Sequence, residues 1–437
     1  MKNNIFFILL MGFLISFQPL AAQSNAQKFT VDGIEIIMKP TVKDIINVSV
    51  YYRGGVTNYA AEKAGIENLA LAGAPECGTK SFSKDAFKDK ADKFGINVYG
   101  SSTYDYGMIG LNCISKYFNE GWSLLAEAVR NPVYNEKDFD LLKKQILAGI
   151  KNADGDPDSK ITKMAVTNTF KNTPYATDPV GETNTVNDLS AKEIKDYYYN
   201  TLLNKNRIFI VVVGKIAKEE ITSKIKKAFG DIPSKTYTAF AYHTPEITSN
   251  SVNIEPRKLA TNYIIGVVNA PLFTSADYAA NSLAVSAFSE NLFTEIRTKR
   301  NLSYAPYAVS VRLKMPYNYM YVSTTDPKAS VEVMVNEINR ILTKGFSEKE
   351  FQDTRNLYIT SNYLKEESTD RMAASLGRGE ILGNWKMDEE FIGKIQKTTP
   401  ADMTNVFKKY IKGINWNYLG DEKAADEAKD AFNMKVE

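Results

Sequence analysis

Arg297 and Tyr304 flank a change of pattern in the chain. Upstream, Phe288, Leu292 and Ile296 recur at every fourth residue, which places them on one face of a helix. Arg297, Lys299 and Arg300 crowd the last turn of that helix, where cations suit the negative end of the helix dipole. Asn301 is a suitable helix stop. Beyond it, Tyr307, Val309, Val311 and Leu313 alternate with period two, the pattern of a strand. The spacing therefore predicts Arg297 at a helix end and Tyr304 just ahead of a strand. A permanently charged planar fork beside a phenol can grip a peptide carbonyl or a carboxylate. Residue type alone favours an exposed Arg and a half-buried Tyr of no special role, so the rest of the chain must decide.

Other chemistries are poorly provided for. The 437 residues contain one histidine, His243, in the stretch YHTPEITSN, which reads as a solvated linker. The two cysteines, Cys77 and Cys113, are open to a disulfide or to two buried thiols. A thiol or serine nucleophile needs a base, and no histidine lies outside the linker to act as one. A stand-alone hydrolase built on Cys77 or a serine is accordingly the weakest reading. The balance of 54 basic against 51 acidic residues gives a net charge of +3, with no basic stripe interleaved with aromatics, so nucleic-acid binding is not expected.

The elements that must position the Arg/Tyr pair follow from the chain order. Lys2, an apolar run from Ile5 to Phe17, Pro19 and Ala21-Ala22 have the order of a secretory signal over residues 1–22. Export, most simply to a periplasm, is the expected localisation, and no later segment reads as transmembrane. The mature chain then alternates short strands with amphipathic helices up to a Pro/Ser/Thr-rich stretch at 234–250. That stretch divides the chain into lobes at 23–233 and 251–437. The second lobe repeats the first. NEKDFDLLKKQIL at 135–147 matches SEKEFQDTRNLYI at 347–359. LSAKEIKDYYYNTL at 189–202 matches TTPADMTNVFKKYI at 398–411, and RIFIVVVG at 207–214 is answered by GINWNYLG at 413–420. Three matches in order at nearly constant spacing indicate duplication. The expected fold class is α+β: two homologous lobes, each a mostly antiparallel sheet with helices packed on it, forming a clamshell.

The repeat, together with GIENLALAGAPECGT at 65–79 and EIRTKRNLSYAPYAVS at 295–310, resembles the M16 (pitrilysin/insulinase-like) zinc peptidases, in particular their short two-lobe bacterial subunits. In active members the first stretch carries an HxxEH motif whose two histidines bind zinc and whose Glu activates water. Here the frame from Gly65-Ile66 to Gly78-Thr79 is intact, but Asn68 and Ala72 stand at the histidine positions and Leu71 at the general base. The third ligand of the family, a Glu on a later helix, aligns with Gly149. The resemblance therefore implies no zinc and no catalytic residue in this chain, and a filled pocket where the metal would be. Asn68 is expected to pack or cap a helix.

The second stretch does match. The family frame (apolar)-Arg-x-x-x-x-(apolar)-(small)-Tyr is filled by Ile296, Arg297, Leu302, Ser303 and Tyr304. In the family this Arg/Tyr pair is understood to hold the substrate backbone. The resemblance implies a non-catalytic subunit that binds peptide or unfolded protein through Arg297 and Tyr304, in a heterodimer whose HxxEH-bearing partner supplies zinc. The alternative is a proteolytically inert M16-fold binding or scaffold protein.

Overall fold

The computed structural model describes residues 26–436; the secretory-signal expectation for 1–22 lies outside them. The N-lobe sheet contains β1 (Gln27–Val31), β2 (Ile34–Pro40), β3 (Ile45–Arg53), β4 (Asn97–Ser102), β5 (Tyr106–Ile114) and β6 (Ile208–Gly214), in the order β1-β2-β6-β3-β5-β4. Its helices are α1 (Ile66–Glu76), α2 (Lys84–Phe94), α3 (Phe118–Arg130), α4 (Glu136–Gly155), α5 (Pro157–Thr169), α6 (Thr183–Asp188), α7 (Ala191–Tyr197) and α8 (Lys218–Phe229). The C-lobe sheet contains β7 (Ser251–Pro256), β8 (Asn262–Asn269), β9 (Tyr307–Val311), β10 (Tyr317–Thr324) and β11 (Asn415–Gly420), in the order β7-β11-β8-β10-β9. Its helices are α9 (Tyr278–Leu292), α10 (Pro327–Lys344), α11 (Glu348–Lys365), α12 (Thr369–Leu382), α13 (Met387–Lys397), α14 (Pro400–Tyr410), α15 (Glu422–Glu427) and α16 (Lys429–Phe432).

The internal repeat is a repeat of topology. In the N-lobe β2 runs parallel to β6, and β6, β3, β5 and β4 then pair antiparallel. In the C-lobe β7 runs parallel to β11, and β11, β8, β10 and β9 follow antiparallel in the same way. The local signals agree with this. Asp32 and Gly33 both take positive φ, 46° and 86°, as the tight β1–β2 turn requires. Asn135 caps α4 by accepting from the amides of Lys137 and Asp138, and Ser347 caps α11 with Glu350 completing a capping box. Helix α1 starts at Ile66, because Gly65 before it, at φ 90°, is left-handed and closed to the helix.

Each sheet buries one face under helices of its own lobe and the other under a helix from the opposite lobe. The N-lobe helix α5 lies across β8 and β11, where Ile161, Ala165, Val166 and Phe170 pack on Ile265, Val267, Tyr317 and Leu419. The C-lobe helix α12 lies across β3 and β6, where Met372, Ala373 and Leu376 pack on Ile37, Tyr51, Phe209 and Val211. Double burial explains why β6 reads as the unbroken apolar run IFIVVVG. Polar contacts pin the same seam. Asp105 accepts both the Tyr175 hydroxyl and, across the lobes, the Lys314 amide at 2.9 Å. Asp370 accepts from Asn47 and Asn112 at 2.5 and 2.7 Å. Glu380 pairs with Arg53 at 2.8 Å and Lys28 at 3.0 Å. Residues 233–248, which lead from one lobe to the other, contain no helix or strand, and His243 within them is exposed.

At Gly377 α12 closely approaches the N-lobe sheet: a Cβ there would lie 2.1 Å from the Tyr51 ring. Gly377→Ala is expected to destabilise the protein by at least about 1–3 kcal/mol through overpacking. An unchanged urea midpoint would contradict this packing.

Candidate functional site

The C-lobe site is built by a helix that widens before it stops. After α9 the backbone runs through a π-helical turn, Phe293–Thr298, in which the Lys299 amide bonds the Thr294 carbonyl at 3.0 Å. The plain helix end expected from the sequence misses this turn, because nothing in the four-residue spacing distinguishes π from α geometry. Along this stretch Phe288, Leu292 and Ile296 are buried in the C-lobe core, Phe293 is exposed and Arg297 is half-buried. π turns of this kind often mark functional sites. Asn301, at φ 53°, ends the helix as expected, with its amide bonded to the Arg297 carbonyl and that of Leu302 to the Ile296 carbonyl. The chain then turns through Tyr304 into edge strand β9, whose Ala308 amide is capped by the Ser289 hydroxyl at 3.0 Å.

The structure brings Arg297 and Tyr304 together. The guanidinium carbon lies 4.2 Å from the centre of the Tyr304 ring and 4.9 Å from that of Phe293. Among the described residues the Arg297 guanidinium has neither an ion-pair nor a hydrogen-bond partner. The reason is local: Glu295 takes both neighbouring cations, Lys299 and Arg300, each at 2.6 Å. These contacts hold the Glu295 carboxyl below its usual pKa. Arg297 is thus oriented by aromatic stacking while its five N–H donors stay open to solvent or ligand. Tyr304 is 78% exposed.

The N-lobe positions named by the sequence are closed or empty. The Asn68 side chain accepts the Ser102 amide at 3.2 Å, tying α1 to the end of edge strand β4 instead of capping its own helix. Leu71 is fully buried and packs against Gly107, where an added Cβ would come within 2.1 Å of it. Ala72 is half-buried against the lobe core. Gly149 lines an open cleft of about 470 Å³ with Tyr104, Val180 and Tyr317. Zinc does not fit this set: the oxygen of Asn68 is engaged, and Ala72 and Gly149 offer no side-chain donor. Among the described residues no group of three or more His, Cys, Asp or Glu is placed to hold a metal ion. Cys77 and Cys113 are free, buried thiols, pushed up to about 12 and about 11 by desolvation, so neither is a ready nucleophile.

One residue of this site was missed from sequence. Glu67, fully buried in the first turn of α1, accepts from Asn58 and the Tyr197 hydroxyl, each at 2.7 Å, and from the Ser102 hydroxyl at 3.2 Å. Burial raises its pKa to about 7, against the hydrogen bonds and the positive field of Arg207. Only the unusual placement of a Glu among the apolar residues of α1 could have drawn notice to it.

The comparisons with known proteins agree with this architecture. Residues 188–358 match the family model described as Peptidase M16 inactive domain, a span that includes Arg297 and Tyr304 and leaves α1 outside. The "Non-peptidase homolog YmxG" of Helicobacter pylori is 19% identical over 374 residues, covering 84% of this chain and 86% of its own. The "Zinc protease PqqE" of the same organism is 20% identical, covering 72% of each chain. The solved peptidase M16 inactive domain from Pseudomonas fluorescens superposes with a TM-score of 0.82 at 16% identity, over 91% of this chain and 98% of that one. The periplasmic protease PqqL from Escherichia coli superposes with a TM-score of 0.75 at 13% identity, over 97% of this chain but 49% of its own. In fold the chain is similar to two-lobe M16-type proteins, and over residues 188–358 its sequence matches the inactive M16 domain.

Glu67 makes a pH dependence. Its folded pKa of about 7 lies above the ordinary value of 4.5, so between those values the native state binds more protons than the unfolded state. Its contribution to stability is full below about pH 4.5 and is lost as pH rises through 7, by an amount of roughly 3 kcal/mol. In urea titrations from pH 4.5 to 8, the stability difference between wild type and Glu67→Gln is expected to shift in that direction; a pH-independent difference would refute it.

Proposed function

We propose that this chain is the non-catalytic subunit of an exported M16-type zinc metallopeptidase. It binds peptide or unfolded protein and orients it for a partner subunit that carries HxxEH and zinc. The observation that carries the reading is Arg297: a stacked, pre-oriented guanidinium with no ion-pair or hydrogen-bond partner among the described residues, beside an exposed phenol. Such a pair can donate hydrogen bonds to a peptide carbonyl or carboxylate without first breaking an internal ion pair. Placement of a scissile bond is worth large rate factors, so a chain without metal can contribute to catalysis in an assembly. Two comparisons support a partnership. Helicobacter pylori holds both a non-peptidase homologue and a zinc protease that resemble this chain. The Escherichia coli periplasmic protease is about twice as long as the portion this chain superposes on, as expected of two such units in one polypeptide.

A second reading, an inert scaffold, is favoured by one observation. A chain of complex III2 from Candida albicans superposes with a TM-score of 0.78 over 93% of this chain and all of that one.

Co-expression with an HxxEH-bearing M16 chain of the same source separates the two. Each chain alone is expected to be inactive on an unfolded peptide, and the mixture active and chelator-sensitive. In the mixture Arg297→Ala is expected to lower turnover by roughly 10–100-fold, and Tyr304→Phe by roughly tenfold, with co-elution of the subunits retained. Chelator-sensitive cleavage by this chain alone, or unchanged turnover in both variants, would refute the proposal. Purified alone, the chain is expected to carry no stoichiometric zinc in elemental analysis.

A further inference from the structure

Three residue choices that the fold does not call for line one cleft between the lobes. The cleft, of about 470 Å³, is walled by α4, α5, the turn after β4 and the 178–181 segment of the N-lobe, and by Tyr317, the first residue of β10, from the C-lobe. Gly149 lies inside α4, where glycine weakens a helix, yet a Cβ there would meet nothing within 4 Å. Packing does not require glycine; its effect is to leave the cleft wide. Asp154 sits in the last turn of α4, where the helix dipole disfavours a carboxylate. Among the described residues its side chain has neither a hydrogen-bond nor an ion-pair partner, whereas Asp156 caps α5 and Asp158 accepts the Tyr321 hydroxyl. Tyr317 is only 7% exposed, and its hydroxyl has no hydrogen-bond partner among the described residues. A phenol buried so deeply normally has one, and the cleft is where a partner can reach it.

The chemistry of the walls favours one sign of charge. Lys163 is the one cation lining the cleft, and Glu182 at 2.8 Å and Asp178 at 3.5 Å already occupy it. Asp154 is left over as a negative charge. Tyr104 and Tyr317 add two phenols, whose oxygens accept hydrogen bonds and whose rings attract cations. Ile150 and Val166, both buried, supply apolar wall. A carboxylate and two phenols beside apolar walls suit a cationic head on an aliphatic stem. An anion would instead meet Asp154 and Asp178 with the only ammonium engaged.

We infer that this cleft binds an aliphatic primary ammonium group, its head held by Asp154 and Tyr317 and its stem by Ile150 and Val166. The group can belong to a free alkylamine or to a lysine side chain of a peptide. Because Asp154 is in one lobe and Tyr317 in the other, the bound group bridges the lobes. The inference does not depend on the reading of Arg297 and Tyr304.

The test titrates the full chain calorimetrically, at about pH 7 where alkylamines are protonated, with pentylamine, pentanol and pentanoate. Pentylammonium is expected to bind at least about tenfold more tightly than pentanol, and pentanoate not to bind. Asp154→Asn is expected to weaken pentylammonium at least about tenfold and Tyr317→Phe roughly threefold, with thermal midpoints unchanged or raised, because the fold uses neither group. Gly149→Leu is expected to abolish binding while the midpoint holds or rises, since leucine is the better helix former and has room. An end-blocked Gly/Ser peptide carrying one lysine separates the sources. Asp154-dependent binding that is lost when norleucine replaces the lysine supports the inference with a peptide as ligand; failure of the peptide beside a binding amine supports it with a free amine. Equal binding of pentylammonium and pentanol, no binding of pentylammonium, binding unchanged in Asp154→Asn, or a thermal midpoint lowered by Asp154→Asn would overturn it.

Discussion

The structure depends on an exchange of helices between its lobes. A sheet with helices on one side only leaves an apolar face exposed, and each lobe here covers the other's. α5 leaves the N-lobe to lie on β8 and β11, and α12 leaves the C-lobe to lie on β3 and β6. The exchange makes the lobes a single packed body, since withdrawing either helix would expose an aromatic and β-branched surface to water. It also explains features that have no purpose within one lobe. Gly377 is bare so that α12 can meet Tyr51, and Asp105 is buried so that it can receive Tyr175 and the Lys314 amide together.

On this shared frame the two lobes treat the helices that follow β3 and β8 in opposite ways. In the N-lobe the start of α1 is sealed. Asn68 is spent on the Ser102 amide, Leu71 fills the space left by Gly107, and Glu67 is satisfied internally by Asn58, Tyr197 and Ser102. In the C-lobe the end of α9 is left open. Glu295 absorbs the two spare cations, Ile296 is buried beside half-exposed Arg297, and two aromatic rings hold the guanidinium without consuming its donors. A stacked cation keeps its hydrogen-bonding capacity, whereas an ion-paired one would have to give up a partner before binding a ligand.

Much of the fold was legible because its signals are local. The caps at Asn135 and Ser347, the turn at Asp32-Gly33 and the stop at Asn301 each follow from one residue's conformational preference. The duplication was legible because caps and apolar spacing recur in order. The lack of zinc chemistry at α1 was equally plain, since no helix can offer imidazoles that the sequence does not contain. The burial of Glu67 was not legible. Its partners come from residues 58, 102 and 197, and such a meeting has no signature in sequence spacing. The π turn was hidden for a different reason: a helix of either pitch can place Phe288, Leu292 and Ile296 inside.

What the amino-acid sequence determined by itself was thus the α+β class, the repeat, and the residue types available at Asn68, Ala72, Gly149, Arg297 and Tyr304. What only the tertiary structure decided was which of these groups are free. Arg297 is available because Glu295 closes on Lys299 and Arg300, and Asn68 is unavailable because β4 brings the Ser102 amide to it. Availability depends on which neighbour arrives first at each donor and acceptor, and long-range packing sets that, through contacts between segments far apart in the chain.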